Sequence, residues 1–153
     1  MATRKKSDKQ QNDSGVLREQ WLKVLADLTS NVKSWAEEFD WSTRQIAKKM
    51  KDSRLGSYDA PALLMQKETI RVLLDPVARF TPGADGVVDL YLMPAYDDIA
   101  SLYLVDGEWR LHYVFPGTPP AVATIRQAES WPLSKEAIGR VLHEMSTHAA
   151  SAL

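Results

Sequence analysis

The sequence predicts an α+β fold: an antiparallel β-meander of five or six strands, with a long N-terminal helix and a C-terminal helix packed on one face. Three observations predict it. Apolar residues from Leu17 to Phe39 recur at helical spacing. From Ala62 to Phe115 they fall into short runs with turn residues between them. After Ser134 the helical spacing returns. Strands grouped together, rather than interleaved with helices, favour antiparallel neighbours.

The first helix is expected from Val16 to Phe39. Leu17, Trp21, Val24, Leu25, Leu28, Val32, Trp35, Ala36 and Phe39 make one apolar stripe. Asp13 or Ser14 can cap its start. Residues 1–14 are almost wholly polar and predict a disordered tail, which leaves 15–150 as a single α+β domain. Asp40 to Asp52 reads as strand or as a second helix, and an extended start at Trp41 is the preferred reading. "SRLGSYDAP" is loop-like, punctuated by Gly56 and Pro61.

The meander follows. "ALLMQ" and "TIRVLLD" flank Lys67 and Glu68. "TPGADG" is a turn, "VVDLYLMP" a strand, "AYDD" a loop and "IASLYLV" the next strand. Asp106-Gly107 is a two-residue hairpin signal before "EWRLHYVF". Pro116, Pro119 and Pro120 end the series. "AVATIRQAES" is expected as a short helix. Ser134 caps the last helix, with Leu133 and Ile138 as its hydrophobic staple and Ile138, Val141, Leu142 and Met145 as its stripe.

Composition bounds the function. A chain of 153 residues with 44% apolar content can bury a real core. The absence of cysteine excludes disulfides, thiolate zinc sites and cysteine nucleophiles. No apolar run approaches the roughly 20 residues of a membrane span, and the N-terminus lacks a signal peptide's apolar stretch. The expectation is a soluble cytoplasmic protein with no membrane partner. Charge is uneven. Arg44, Lys48, Lys49, Lys51 and Arg54 crowd one segment, and the acids Asp75, Asp85, Asp89, Asp97, Asp98, Asp106 and Glu108 crowd a later one.

Several stretches resemble a family of small uncharacterised bacterial proteins, a domain of unknown function. They are Val32 to Glu38 (VKSWAEE), Leu55 to Leu64 (LGSYDAPALL), Val72 to Arg79, Gly83 to Pro94 (GADGVVDLYLMP) and Asp106 to Trp109. The resemblance covers roughly Leu17 to Phe115. It implies a shared fold and no particular activity.

Motifs for chemistry are sparse. There is no G-x-S-x-G, no phosphate-binding G-x-x-x-x-G-K and no G-x-G-x-x-G. "HEMSTH" is not H-E-x-x-H: His143 and His148 are five apart, roughly 140° around a helix. No metal and no cofactor are expected.

Alternation sorts the strands into two surfaces. Val88, Leu90 and Leu92 share a core face with Trp109, Leu111, Tyr113 and Phe115. The other surface carries Asp89, Tyr91, Tyr103, Arg110 and His112, too polar for a main core and rich in the residues that interfaces favour. Asp89 is expected to pair with Arg110, His112 or Arg79, because a half-buried carboxylate without a partner is costly. This reading makes the chain a binding module without catalytic activity. It would use that face, or the sheet edge, against a protein partner or a second copy. The enzymatic alternative is a degenerate PD-(D/E)xK-like nuclease or hydrolase, with Asp75, Asp89 and Glu108 around a metal. Nucleic acid is the lesser partner alternative, because the basic segment has no aromatic residue for a base to stack on.

Overall fold

In the computed structural model, residues 2–94, 98–113 and 130–151 are described, with side chains from 13 to 149 of these. The fold is α+β. Helix α1 (Ala2–Glu38) precedes a seven-stranded antiparallel sheet, and helix α2 (Lys135–Ser151) follows it. The strands are β1 (Ser42–Asp52), β2 (Gly56–Lys67), β3 (Ile70–Ala78), β4 (Gly86–Leu92), β5 (Ile99–Val105), β6 (Glu108–His112) and β7 (Ser130–Pro132). Each pairs with its sequence neighbour, in the order β1 to β7.

The expected count of five or six strands is thus corrected to seven. The additional strand is β7, which pairs with β6 through Arg110↔Pro132 and His112↔Ser130. Three residues ending in proline cannot show an alternation, and proline is tolerated there because the strand lies at the sheet edge. The helix expected over "AVATIRQAES" lies outside the described residues, except for Ser130. Val114, Phe115 and Asp97 lie outside them too.

Helix α1 turns its apolar stripe inward. Trp21, Leu25, Leu28, Val32 and Ala36 are buried in one cluster with the inner faces of the strands. Asp13 and Ser14, expected as caps, lie within the helix. Its end is a Schellman turn. Trp41 N–H donates to the Ala36 carbonyl at 3.0 Å and Asp40 N–H to that of Glu37 at 3.1 Å. Asp40 takes the left-handed conformation, at φ 68°. That turn drops Trp41 into the core and starts β1, so Asp40 to Asp52 resolves as a turn and a strand.

The β5–β6 hairpin closes as its sequence predicts. Asp106 and Gly107 both have positive φ, at 51° and 79°. That is the combination a two-residue type I′ turn requires. The β1–β2 turn is held by Asp52, whose carboxylate accepts the Arg54 N–H at 2.6 Å and the Leu55 N–H at 3.0 Å.

The two helices share the inner face. Trp21 Nε1–H donates to Tyr58 Oη at 3.2 Å, and its ring lies 6.4 Å from that of Trp109. A Cβ on Gly86 would stand 2.6 Å from the Trp21 ring, and one on Gly139 would stand 2.5 Å from the Phe39 ring. Both glycines therefore provide close approach: Gly86 seats α1 on the sheet, and Gly139 seats α2 on α1. Ser134 caps α2 as expected, its Oγ accepting the Ala137 N–H at 3.1 Å. Asp98 then ties the far end of α2 to the sheet. Its carboxylate accepts from Tyr113 Oη at 2.8 Å and meets His148 Nδ1 at 2.6 Å. Burial first, then the hydrogen bond to Asp98 and after it the Asp98 charge, push the Tyr113 hydroxyl well above its ordinary pKa.

Two glycine substitutions should act in opposite directions. Gly86→Ala forces a methyl into the Trp21 ring and should lower unfolding free energy by about 1–3 kcal/mol. Gly15→Ala, inside α1 with its nearest neighbour atom at 3.9 Å, should raise it by up to about 1 kcal/mol. Urea unfolding followed by tryptophan fluorescence measures both. Equal effects would contradict the seat at Gly86.

Candidate functional site

The outer face is built by register. Helices cover the side chains of Val88, Leu90, Ala100, Leu102 and Leu111, so the alternate residues of the same strands face away from them. Cross-strand pairing then sets two rows. One runs Asp75–Asp89–Ser101–His112 from β3 to β6. The next runs Val87–Tyr103–Arg110–Pro132 from β4 to β7. All five residues singled out in the sequence, Asp89, Tyr91, Tyr103, Arg110 and His112, fall on this face.

They do not pair as expected. Asp89 accepts a hydrogen bond from Ser101 Oγ at 2.9 Å, not from Arg110, His112 or Arg79. Arg110 turns to the edge instead. Its Nε–H donates to Ser130 Oγ at 2.6 Å and an Nη2–H to the Ser130 carbonyl at 3.0 Å. Arg79 donates to the Asp85 carbonyl and lies over the Phe80 ring, 4.9 Å from its centroid. His112 meets the Tyr103 ring edge-on, with centroids 6.4 Å apart.

The residue across from Asp89 is Asp75, which the sequence grouped with it only in the metal alternative. This is a like-charge pairing that costs stability unless compensated. Lys48 supplies the compensation. Its ammonium contacts Asp75 Oδ1 at 2.8 Å and donates to the Pro76 carbonyl at 2.7 Å. Tyr91 Oη lies 3.5 Å from the other Asp75 oxygen, and Tyr91 is only 6% exposed. Burial raises the Asp89 pKa above its ordinary value. The Ser101 hydrogen bond opposes that shift, the Asp75 charge adds to it, and Lys48 opposes it.

The metal arrangement that the enzymatic alternative requires is not formed. Asp89 is level with His112 through Ser101, and Glu108 is four residues earlier on β6. That places it about 13 Å away along the strand, with two strand spacings to cross as well. Ligands of one ion must lie within about 2.0–2.6 Å of it. Among the described residues no three His, Asp or Glu side chains are placed to hold a metal ion.

Beside the carboxylates lies an open groove of about 530 Å³. Tyr103, Val105, Arg110, His112 and Ser130 line it, with Pro82 to Ala84 at its rim. A second cleft, about 590 Å³, opens on the helix side between Phe39, Trp41, Ile70 and His143. Lys67, on its wall, donates to the Phe39 carbonyl at 3.1 Å. The second cleft is slightly larger in volume, but the groove holds three of the five singled-out side chains. No described buried side-chain nitrogen or oxygen lacks a hydrogen-bond partner.

Two substitutions test the carboxylate row. Asp89 with a raised folded pKa binds its proton more readily folded than unfolded. Its contribution to stability therefore falls as pH rises from the ordinary value of 3.8 through the folded value. Asp89→Asn keeps the oxygen facing Ser101 and should flatten the stability–pH curve over that window, with higher stability than wild type at pH 7. Thermal melts from pH 3 to pH 8 measure it, and an unchanged curve would contradict the cost assigned to Asp89. Lys48→Met should cost about 1–2 kcal/mol at pH 7, a range held low because Lys48 is partly exposed. Adding Asp89→Asn should restore part of that loss in a double-mutant cycle.

Searches against protein-family models, curated proteins and solved structures find no match to this chain.

Proposed function

We propose that the chain is a binding module without catalytic activity of its own, and that its open sheet face takes a protein surface. One observation carries the reading. Strand β5 reads IASLYLV, wholly apolar on the helix side and apolar apart from Ser101 on the other. Ala100, Leu102 and Leu104 face the helices, while Ile99 (48% exposed), Tyr103 and Val105 stand open on the other side. In an antiparallel sheet with one solvated face the outward residues are ordinarily polar, so a row of exposed apolar side chains on that face suits a cover.

Three features support a protein as the cover. Tyr and Arg, the residues most often found at the energetic centre of interfaces, sit side by side as Tyr103 and Arg110. The carboxylate row carries its own counter-charge in Lys48, so docking against it leaves Asp75 paired. The groove is shallow and open, which suits a protruding side chain. The covering surface is a second copy or another chain.

Ile99→Glu with Tyr103→Glu tests the proposal. Both positions are exposed, so melting should move little, on the order of 0.5 kcal/mol or less. Wild-type protein should form a complex by light scattering, either with itself at rising concentration or with a co-purified chain. The double variant should form none. Complexes unaffected by the variant would place binding elsewhere on the molecule, and a wild type with no complex of either kind would overturn the reading.

A further inference from the structure

The two edges of the sheet are unlike. β7 is three residues and ends in proline, which blunts it. β1 has 11 residues and no proline. It pairs with β2 in unbroken register from Ser42↔Gln66 to Asp52↔Gly56, and no described strand lies on its other side. Such an edge presents about every second N–H and C=O outward without a ladder partner.

Its charge is equally one-sided. Arg44, Lys48, Lys49 and Lys51 stand against Asp52 alone. Lys48 is spent on Asp75, and Asp52 on its turn. Arg44, Lys49 and Lys51 are exposed, and no described acid lies within ion-pair distance of them. Asp59 faces Lys49 across the β1–β2 ladder without closing on it. Lysines on an edge oppose self-pairing. Two β1 strands side by side would gather eight bases against two acids, which argues against a second copy. Nucleic acid would meet the charge but leave the backbone edge unused, and the strand has no aromatic for a base.

We infer that β1 accepts an extended acidic segment of another protein as an eighth strand. This rests on the reading of the chain as a binding module and names the chemistry of a partner at its edge. The backbone edge supplies the ladder, and the side chains supply the preference. Lys49 and Lys51 are two apart and so share one face, while Arg44, Ile46 and Met50 share the other. The fitting segment therefore alternates acids, set against the lysines, with apolar residues set against Ile46 and Met50.

The test uses the full ¹⁵N-labelled chain and two blocked peptides, alternating Glu-Val and alternating Lys-Val. The Glu-Val peptide should shift amides between Ser42 and Asp52 and slow hydrogen exchange at alternate β1 amides. The Lys-Val peptide should do neither. Lys49→Glu with Lys51→Glu, both exposed, should lose roughly tenfold or more in affinity for Glu-Val and gain affinity for Lys-Val. Its own spectrum establishes that it is folded. The inference is overturned if Glu-Val perturbs the Tyr103 face instead of β1, or binds β1 without slowing exchange. It is also overturned if a single-stranded oligonucleotide binds β1 and Glu-Val does not. The Ile99→Glu, Tyr103→Glu variant separates the two ideas: it should bind Glu-Val as wild type does, whichever way the sheet-face experiment falls.

Discussion

The indole of Trp21 is the contact on which the two layers depend. Its ring occupies the space that a side chain on Gly86 would fill. Its N–H is satisfied by Tyr58 on β2, and its far side meets Trp109 on β6. One residue of α1 thereby fixes the helix against the second, fourth and sixth strands. The hydrogen bond matters too, because a buried indole N–H without a partner would cost about 1–3 kcal/mol. With α1 so placed, the Schellman turn at Asp40 aims the chain into β1, and the meander has a fixed beginning.

Much of this was legible, and the reasons are local. The runs that become β4, β5 and β6 are short, apolar-rich and bounded by turn residues, and Asp106-Gly107 states its own turn. The α1 stripe and the Ser134 cap were readable for the same reason: each signal lies within a few residues. β1 was ambiguous because both its faces are exposed, so no apolar alternation marks it. β7 was missed because three residues are too few to carry a period. That Asp89, Tyr91, Tyr103, Arg110 and His112 share one face was legible, since alternation needs no partner strand. Their pairing was not legible, since it depends on register. Asp75 meets Asp89 only through the β3–β4 alignment, which includes a bulge between Pro76 and Ala78. Lys48 reaches both Asp75 and Pro76 from a strand two places away, a contact that no sequence spacing announces.

That lysine has a second part to play in the architecture. The β2–β3 ladder ends at Leu63↔Leu74, while β1 and β2 stay paired far beyond it. The outer half of the β1–β2 hairpin is therefore not bonded to β3 by backbone. Lys48 bridges the split through one carboxylate and one carbonyl, and Arg18 of α1 holds the tip through the Leu55 carbonyl at 2.9 Å. Polar contacts thus do at this corner what the ladder does elsewhere. Such contacts are short-ranged and directional, so they fix the angle of the arm rather than merely its proximity.

The proline that ends β7 has a consequence for stoichiometry. A sheet with two equivalent edges can grow without limit, each added molecule offering a fresh edge to the next. Here one edge is three residues long and ends at Pro132. A strand added at β1 would therefore consume the long edge and expose no equal one among the described residues of this chain. Copies of this chain joined edge to edge through β1 would stop at two instead of growing into a fibre, and the asymmetry of the two edges would set that limit.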